Sequence, residues 1–292
     1  MGKEAGVCME YILETQGVTK KYGSFVLDSI DLKVPYGKIV GLIGENGAGK
    51  TTFIRTVLNQ IKKDAGIIRI FGLDNVENDI TCKKSIGFVT DECCFHNCLN
   101  ANNINSIMKH IYINWDTNIF IGFMDNFHIN PMKKINDLSK GMKSKLLLAI
   151  ALSHSPKLLI LDEITSGLDP IVRDDILLVL KDYVTDKNAS VIFSTHVTSD
   201  LDRIADEIAF LHEGKLIFHE TTKTLNKRYK LIRCSMEEYN KLPKDYIEKT
   251  LVRGDEYIAL TRNNGVELNE GSVCTPSVDE IMLLYIKGEN TP

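Results

Sequence analysis

The sequence lacks a hydrophobic run long enough to cross a membrane. A spanning helix needs about 18 or more consecutive apolar residues, whereas the longest relevant stretch, Leu146 to Leu152, lies beside Lys143 and Lys145. The amino-terminal residues include acidic side chains and have neither a long apolar core nor the small-residue cleavage site of a secretory signal. We therefore expect a cytoplasmic chain that does not span the membrane by itself.

A large excess of one charge is also missing, because 35 basic residues stand against 39 acidic ones, for a net charge of −4. Such a chain has no polycationic surface for nucleic acid phosphates, and no nucleic acid partner is expected. The seven cysteines are odd in number and unevenly spaced, which indicates reduced thiols rather than a disulfide framework. Internal repeats, low-complexity tracts and heptad arrays are absent from the sequence as well.

What the sequence does contain is an ordinary globular composition, with 43% hydrophobic and 25% charged residues in a chain of 292. This length predicts one large domain or two of average size. The motifs that carry chemistry stop near Ile217, so we expect the remaining residues to form a small α/β appendage. The predicted divisions are an extension over residues 1–10, a main domain over 11–222 with a helical subdomain over about 91–155, and the appendage over 223–292.

Apolar stretches that alternate with turn residues predict short antiparallel strands between Tyr11 and Ile43. Apolar residues at helical spacing predict a helical segment between about Cys93 and Ser153. Apolar strands alternating with helices on both sides of that segment predict a parallel sheet covered by helices. The elements of this pattern are predicted over Ile39–Ile43, Thr51–Gln60, Lys157–Leu161, Arg173–Asp186 and Ser190–Ser194. Later elements are predicted as a hairpin at Glu213 and Gly214, strands over Tyr229–Cys234 and Tyr257–Thr261, and a helix over Val278–Ile286.

A glycine-rich segment connects the first buried strand to the helix that follows it, and it fits the phosphate-binding P-loop pattern. Gly47 and Gly49 can adopt the positive φ values that turn successive amides toward an anion. Lys50 would reach the β- and γ-phosphates, and Thr51 would bind Mg²⁺. The alternative is a glycine turn with an incidental lysine, which the position between a strand and a helix disfavours. The predicted nucleotide-binding residues of this segment are Gly44, Glu45, Asn46, Gly47, Ala48, Gly49, Lys50, Thr51 and Thr52.

Two adjacent carboxylates, Asp162 and Glu163, follow the apolar strand that begins at Lys157. Both charges resist burial, so a core strand is a poor explanation for them. A bound Mg²⁺-nucleotide removes that cost, because Asp162 would hold the metal and Glu163 would polarise the attacking water. The alternative is a solvated strand end, which the neighbouring phosphate loop disfavours.

The segment from Leu138 to Met142 reads Leu-Ser-Lys-Gly-Met, and Ser139 is expected to cap the helix that follows. Taken alone, it fits an ordinary capped helix equally well. In their order along the chain, however, the motifs resemble those of the ATP-binding cassette (ABC) ATPases. That resemblance implies that Ser139 and Gly141 contact the γ-phosphate of ATP held by a second copy of the chain. Lys140 and Met142 depart from the family's usual Leu-Ser-Gly-Gly-Gln, whereas Ser139 and Gly141 keep the hydroxyl group and the close backbone approach.

The same resemblance assigns roles to residues that have ordinary structural explanations when taken singly. Tyr22 occupies the place of the aromatic residue that stacks on adenine, the segment Ser166 to Asp169 resembles the D-loop, and His196 resembles the switch histidine. The family's Q-loop glutamine, which touches Mg²⁺, aligns with Asp91. An aspartate still offers an oxygen ligand, but it is shorter and adds a negative charge.

The whole chain resembles bacterial single-cassette ATP-binding subunits of the bacitracin/lantibiotic-efflux and acetoin-utilisation type. This implies an α/β P-loop NTPase of the ABC ATPase fold, with a parallel sheet core, an antiparallel β-subdomain, a helical subdomain and the appendage. It further implies ATP and Mg²⁺ as cofactors, a head-to-tail dimer, and a location on the inner face of the membrane through a separate permease. The expected function is ATP hydrolysis that powers this permease in export.

Other hypotheses remain open at this stage. A soluble ABC ATPase acting on a ribosome, nucleic acid or an assembly complex is the main alternative, although its usual members carry two cassettes or long coiled coils. A P-loop kinase would need neither the signature segment nor the paired carboxylates. A zinc site is a further hypothesis, because thiols and an imidazole lie close together in sequence, but adjacent cysteines fit one tetrahedral ion poorly and packing or partner contact is favoured. The residues concerned are Cys93, Cys94, His96 and Cys98.

Overall fold

The computed structural model describes residues 10–262 and 272–289 and separates the chain into two units, which meet in sequence between Ile217 and Phe218. This division falls a few residues before the predicted one at 222 and 223. Apart from Glu10, the predicted amino-terminal extension lies outside the described residues.

The first unit contains two sheets. Its strands are β1 (Tyr11–Tyr22), β2 (Phe25–Ile30), β3 (Lys33–Pro35), β4 (Ile39–Ile43), β5 (Ala65–Ile70), β6 (Leu73–Asp74), β7 (Ile86–Thr90), β8 (Leu158–Asp162), β9 (Ser190–Ser194), β10 (Glu207–His212) and β11 (Lys215–Thr221), whose last residues belong to the second unit. The smaller sheet has the order β2-β1-β5-β6, with β3 also paired to β1, and its strand pairs are antiparallel. The predicted antiparallel region at the start of the chain is therefore confirmed.

The larger sheet has the order β11-β10-β4-β9-β8-β7, and the five strands from β10 to β7 pair in parallel. Its central strands are buried along their whole length, which explains why they are apolar at successive positions rather than at alternate ones. In such a sheet the loops after the carboxyl ends of the strands lie at one edge. The P-loop, the two carboxylates and the segments carrying Asp91 and His196 all follow strands at this edge.

Seven helices are described in the first unit. They are α1 (Lys50–Val57), α2 (Asp79–Lys83), α3 (Ala101–Ile111), α4 (Thr117–Asn126), α5 (Lys140–Leu152), α6 (Pro170–Lys187) and α7 (Thr198–Ile204). The helix predicted over Thr51–Gln60 ends earlier, because Asn59 takes a left-handed backbone conformation and the Gln60 N–H bonds back to Arg55 O at 2.9 Å. The helical segment predicted between β7 and β8 is confirmed by α3, α4 and α5, although Ile107 and Ile111 of its apolar pattern stay exposed.

The second unit is an antiparallel sheet with short helices. Its elements are α8 (Thr222–Arg228), β12 (Tyr229–Cys234), α9 (Met236–Lys241), β13 (Ile247–Arg253), β14 (Glu256–Arg262), β15 (Ser272–Cys274) and α10 (Val278–Lys287). The sheet order is β13-β14-β12-β15, and a cluster that includes Ile232, Leu242 and Ala259 forms an apolar core. The α/β appendage predicted here is confirmed, whereas β13 and α9 had no prediction. Across both described ranges of the chain, no helix has the length and apolar character needed to cross a bilayer.

Candidate active site

The loop between β4 and α1 has a backbone shape that suits an anion. Gly47 and Gly49 have φ values of +86° and +108°, a region that residues with side chains rarely adopt. A Cβ atom on Gly49 would also come within 2.9 Å of the Phe25 ring. The first residue of α1 is Lys50, so the positive end of the helix dipole lies at this loop. The predicted succession of strand, glycine-rich loop and helix is therefore confirmed.

The Lys50 side chain folds back over this loop and is only 6% exposed. Its ammonium group donates hydrogen bonds to Gly44 O at 2.7 Å and Glu45 O at 3.2 Å. It also lies 3.4 Å from Glu163 Oε1. A buried ammonium group held by two carbonyl groups and one carboxylate is poised to exchange these partners for phosphate oxygens, which attract it more strongly.

The carboxylate of Asp162 ends β8 in a buried position, where its exposed fraction is 6%. Burial raises the pKa of this carboxyl group, and the nearby Thr51 and Ser194 hydroxyl groups and Lys50 oppose the rise. Among the described residues, its Oδ1 atom has no hydrogen-bond partner. An unpartnered buried carboxylate oxygen costs free energy, which indicates that this position serves a ligand rather than the stability of the fold.

Glu163 has an unusual backbone conformation, with φ at +57°. This left-handed conformation is strained for a residue with a side chain, and such strain is concentrated at functional sites. Backbone hydrogen bonds hold it there, because the Glu163 N–H donates to Ser194 O at 3.0 Å and the Ser166 N–H donates to Glu163 O at 3.1 Å. His196 Nδ1 lies 2.5 Å from Glu163 Oε2, so the structure joins the two predicted catalytic side chains.

A cavity of about 430 Å³ lies over the loop and the strand ends. It contains most of the predicted site residues, and Asp91, in the segment after β7, is among them. The lining residues are Phe25, Glu45, Asn46, Gly47, Gly49, Lys50, Thr51, Thr52, Asp91, Glu163, Ser166 and His196. Carboxylates, an ammonium group, backbone amides and hydroxyl groups thus share one space large enough for a small polar ligand.

Six predicted site residues are not part of this lining as described. Gly44 and Ala48 lie within the phosphate loop, and Asp162 is buried at the end of β8. The other three are Tyr22, Ser139 and Gly141. Their assigned roles stay predictions.

Tyr22 is 46% exposed and pairs across the β1–β2 hairpin with Phe25, which does line the cavity. Lys20 Nζ lies 5.2 Å from the centre of the Tyr22 ring. Tyr22 is therefore paired with a residue that lines the cavity, although it does not line the cavity itself.

Ser139 is the N-cap residue of α5, as predicted, and its hydroxyl group accepts a hydrogen bond from the Met142 N–H at 3.2 Å. Ser139 is exposed. Gly141 is buried against α6, because a Cβ there would lie 3.0 Å from a Val172 methyl group. The exposed amino terminus of a 13-residue helix can receive an anion from another molecule.

Thr51 and Asp162 could hold a magnesium ion. The unpartnered Asp162 Oδ1 and the nearby Thr51 hydroxyl group are hard oxygen ligands of the kind that Mg²⁺ prefers. In the part of the chain that the structure describes, no group of three or more His, Cys, Asp or Glu side chains could hold a metal ion. This donor set fits Mg²⁺, which is commonly bound through one or two carboxylates together with substrate phosphates. At the cysteine-rich segment after Asp91, His96 Nδ1 lies 3.1 Å from Cys98 Sγ.

The sequence interpretation missed several residues of the site. Phe25 closes one side of the cavity, and its only signal was its place three residues after Tyr22 in the same hairpin. His212 ends β10 with Nδ1 at 2.9 Å from Glu45 Oε1, and no sequence pattern connected the two. Ser166 lines the cavity as well, although the D-loop resemblance had drawn attention only to its segment.

A parallel sheet with a glycine-rich loop after β4 and with carboxylates at the end of β8, two strands away in the same sheet, defines a P-loop nucleoside triphosphate hydrolase. The family model of the ABC transporter matches residues 27–166. The bacitracin transport ATP-binding protein BcrA of Enterococcus faecalis is 35% identical over 223 residues, which cover 75% of this chain and 72% of BcrA. The chain belongs to the ATP-binding proteins of ABC transporters, and the predicted ATPase activity is confirmed.

Two further comparisons agree with this assignment. The lantibiotic transport ATP-binding protein SrtF of Streptococcus pyogenes is 30% identical over 213 residues, covering 72% of this chain and 90% of SrtF. Among solved structures, a dimeric ATP-binding cassette in a post-hydrolysis state, bound to ADP and Pi, has a TM-score of 0.64 at 23% identity, covering 72% of this chain and 98% of that one. The predicted ABC ATPase fold is confirmed.

Proposed function

We propose that two copies of this chain bind two Mg-ATP molecules between them, head to tail, and that this dimerisation powers a separate membrane permease. The proposal rests on the observation that some of the predicted site residues line one cavity while others do not. The cavity unites the phosphate loop, Glu163 and His196, whereas Ser139 caps an exposed helix and is not part of the described lining. A second chain that presents its Ser139 and Gly141 would complete the site.

Within one chain, the described contacts support a separate role for each group of residues around ATP. The amides of the phosphate loop and Lys50 bind the phosphates, and Thr51 and Asp162 hold the magnesium ion, with Asp91 as a further oxygen ligand. The bound ion would neutralise charge on the phosphate oxygens. Tyr22 would stack on the adenine beyond Phe25. These roles agree with the position of each residue relative to the cavity.

Glu163 and His196 would activate the attacking water. The contact of 2.5 Å between His196 Nδ1 and Glu163 Oε2 requires a proton on Nδ1 when the glutamate is ionised, so His196 donates to that oxygen. Glu163 Oε1 lies 3.4 Å from Lys50 and becomes available for a water molecule once the ammonium group turns to phosphate. His196 therefore orients the glutamate, and the glutamate accepts the water proton or polarises that bond. Loss of the γ-phosphate would then remove the group that joins the two chains.

The permease supplies the membrane spans in this proposal. The relatives are named as transport ATP-binding proteins for bacitracin and for a lantibiotic, which supports the export of compounds of that kind. Affinity capture of the tagged chain from solubilised membranes tests this part. Recovery of a polytopic protein is expected, whereas recovery of ribosomes or nucleic acid in its place would contradict the transport proposal.

The substitution Glu163→Gln tests the mechanism. It preserves the shape of the side chain but removes the base, so we expect ATP turnover to fall about 100-fold or more. ATP should still bind, and ATP-dependent dimers should accumulate, as measured by light scattering after size exclusion. Glu77→Gln changes an exposed glutamate in the same unit and serves as the matched control. Wild-type turnover by Glu163→Gln would contradict its catalytic role, and a monomer at saturating ATP would contradict dimerisation of the isolated chain.

A further inference from the structure

Two ion pairs connect α6 and α7, and they differ in burial. Arg203 pairs with Asp174 at the surface, where the side chains are 54% and 41% exposed. Arg173 and Asp200 form the second pair, with Arg173 Nε 3.8 Å from Asp200 Oδ1, and here Asp200 is only 2% exposed. Exposed pairs contribute little to stability, but a buried carboxylate is costly unless its partners satisfy it.

The polar groups around Asp200 are poorly satisfied. Within residues 10–262 and 272–289, Asp200 Oδ2, Arg173 Nε and Thr198 Oγ1 are buried without a hydrogen-bond partner. Burial raises the pKa of the Asp200 carboxyl group, and the nearby Thr165 hydroxyl group and Arg173 oppose the rise. Apolar side chains of similar size would stabilise the fold at least as well. Stability alone therefore does not explain this cluster.

The cluster lies where three segments of the active site meet. Asp200 follows His196 by four residues, and Thr165 follows Glu163 by two. Arg173 belongs to the first turn of α6, where its N–H donates to Asp169 O at 3.1 Å. Asp169 is the N-cap of α6 and ends the D-loop segment. Asp200 thus connects the segment of the switch histidine to those of the catalytic glutamate and the D-loop.

We propose that Asp200 is a positioning residue for ATP hydrolysis, acting through Arg173 and Thr165 to keep His196 in contact with Glu163. The inference rests on the proposed function, because it matters only if Glu163 and His196 act on the attacking water. Asp200 holds α7 against the start of α6 by its negative charge, and α7 begins two residues after His196. Without that charge the histidine moves off Glu163 Oε2. Nucleotide binding by Lys50 and the phosphate loop does not depend on this contact.

The test is a comparison of kinetic constants in the full-length chain. Asp200→Asn keeps the size of the side chain but removes the charge, and we expect kcat to fall about tenfold or more, with the KM for ATP changed by less than about twofold. Arg173→Gln should have a similar effect. If the two residues act as a pair, the double variant should be no slower than the slower single variant.

The exposed pair on the same two helices offers a matched control. Asp174→Asn removes one carboxylate at the surface, as Asp200→Asn removes one in the interior, and it should retain the wild-type kcat within about twofold. A kcat for Asp200→Asn as high as that of Asp174→Asn would overturn the inference. The inference would also be overturned if Asp200→Asn changed the KM for ATP and left kcat unchanged, because the residue would then act on ATP binding.

A spectroscopic measurement separates positioning from general damage to the fold. The imidazole protons of His196 can be assigned in NMR spectra by comparison with His196→Gln. Because His196 Nδ1 lies 2.5 Å from Glu163 Oε2, we expect nuclear Overhauser contacts between the two side chains in the wild type and their loss in Asp200→Asn. Retention of these contacts in a folded Asp200→Asn variant would overturn the inference.

Two further outcomes are informative. If Asp200→Asn does not fold, Asp200→Glu and Arg173→Lys keep both charges but alter the geometry of the pair. A lowered kcat in either one at unchanged KM supports positioning, and wild-type kcat in both overturns it. If the variant Lys50→Ala or Glu163→Gln hydrolyses ATP as fast as the wild type, the proposed function itself fails, independently of any result at Asp200.

Discussion

Buried hydrogen-bonding groups are satisfied to different degrees in two regions of the molecule. One is the active-site region of the first unit, and the other is a polar cluster in the second unit, formed by Tyr229, Glu248, Arg262 and Tyr285. In the first unit, one carboxylate oxygen each of Asp162 and Asp200 is buried without a described partner. In the second unit, the Tyr285 hydroxyl group donates to Glu248 Oε2 at 2.9 Å and lies 3.2 Å from the Tyr229 hydroxyl group. Arg262 completes that cluster by pairing with the other oxygen of Glu248.

This difference distinguishes polar groups that await a ligand from polar groups that complete a fold. An unpartnered buried oxygen costs free energy, and a ligand that binds it recovers that cost. A satisfied network contributes to stability without any ligand. The pKa directions agree. Burial raises the pKa of Asp162 and Asp200, whereas in the second unit the Ser277 and Arg233 contacts outweigh burial and hold the pKa of Glu280 below its ordinary value.

The largest expected effect is that of Asp162→Asn, which should remove most of the stabilisation of the first unit by its ligand. We expect the variant without nucleotide to be more stable than the wild type by about 1 kcal/mol, because a buried charge is removed. Stabilisation by Mg-ATP, about 2.7 kcal/mol at 100 times its Kd in the wild type, should be largely lost.

Urea unfolding followed by the fluorescence of Trp115 measures both effects. Trp115 is the only tryptophan of the sequence and lies in the first unit, where it donates a hydrogen bond to Asn105. Asp125→Asn, an exposed aspartate of the same unit, provides the control. If Mg-ATP stabilises Asp162→Asn as much as the wild type, the comparison between the two regions breaks down.

A smaller effect is expected for Tyr285→Phe in the second unit, and it should destabilise the fold rather than weaken the response to a ligand. Removing this hydroxyl group leaves Glu248 without one of its donors, so the free energy of unfolding should fall by about 1 to 2 kcal/mol. ATP turnover should not change. Hydrogen exchange of the β12 and β14 amides measures the loss.

Tyr246→Phe is the matched control for that measurement, since no hydrogen bond of the Tyr246 hydroxyl group occurs within the described ranges of the chain. An equal effect of the two substitutions would show that the Tyr285 cluster does not stabilise the second unit through its hydrogen bonds.

The smallest effect is expected for Glu280→Gln, and it sharpens the comparison through its pH dependence. Glutamine can keep the capping box with Ser277, so only the charge terms with Arg233 and the helix terminus are lost, about 0.5 kcal/mol at pH 7. Because the pKa of Glu280 is lower in the folded protein than its ordinary value of 4.5, its contribution is present above that value. It is lost as the pH falls through the lowered folded value.

Hydrogen exchange of α10 at pH 7 and at acid pH checks this expectation. Wild type and Glu280→Gln should differ at pH 7 and converge in acid. Asp279→Asn, in the same first turn of α10 but exposed, controls for the interaction with the helix terminus. A difference that persists in acid would assign the effect to packing rather than to charge.

Much of the site could be predicted because its chemistry is contiguous in sequence. The glycines, Lys50 and Thr51 stand in one short loop, and Asp162 and Glu163 are neighbours, so residue types and spacing sufficed to locate them. The predictions were weaker where contacts join distant segments. Glu163 and His196 are 33 positions apart, and nothing in the sequence indicated that their side chains meet at 2.5 Å. The resemblance to a family supplied only the role of His196.

The residues missed were those that packing alone brings to the site. Phe25 reaches the cavity because the β1–β2 hairpin packs against Gly49. Arg173 and Asp200 meet because α6 and α7 lie side by side, and neither helix carries a motif that predicts this pair. The left-handed conformation of Glu163 depends on the carbonyl group of Ser194 on the neighbouring strand, so no local pattern could predict it.

By itself, the sequence determined a glycine-rich loop of the P-loop pattern between a strand and a helix, and carboxylates at the end of a buried strand, because these features need only neighbouring residues and their intrinsic backbone preferences. The tertiary structure alone decided which oxygen of Glu163 faces His196, where Asp91 and Phe25 border the cavity, and which buried charges remain unsatisfied. The reason is that sheet order and helix packing bring together residues that are far apart along the chain, and distances and burial depend on that arrangement.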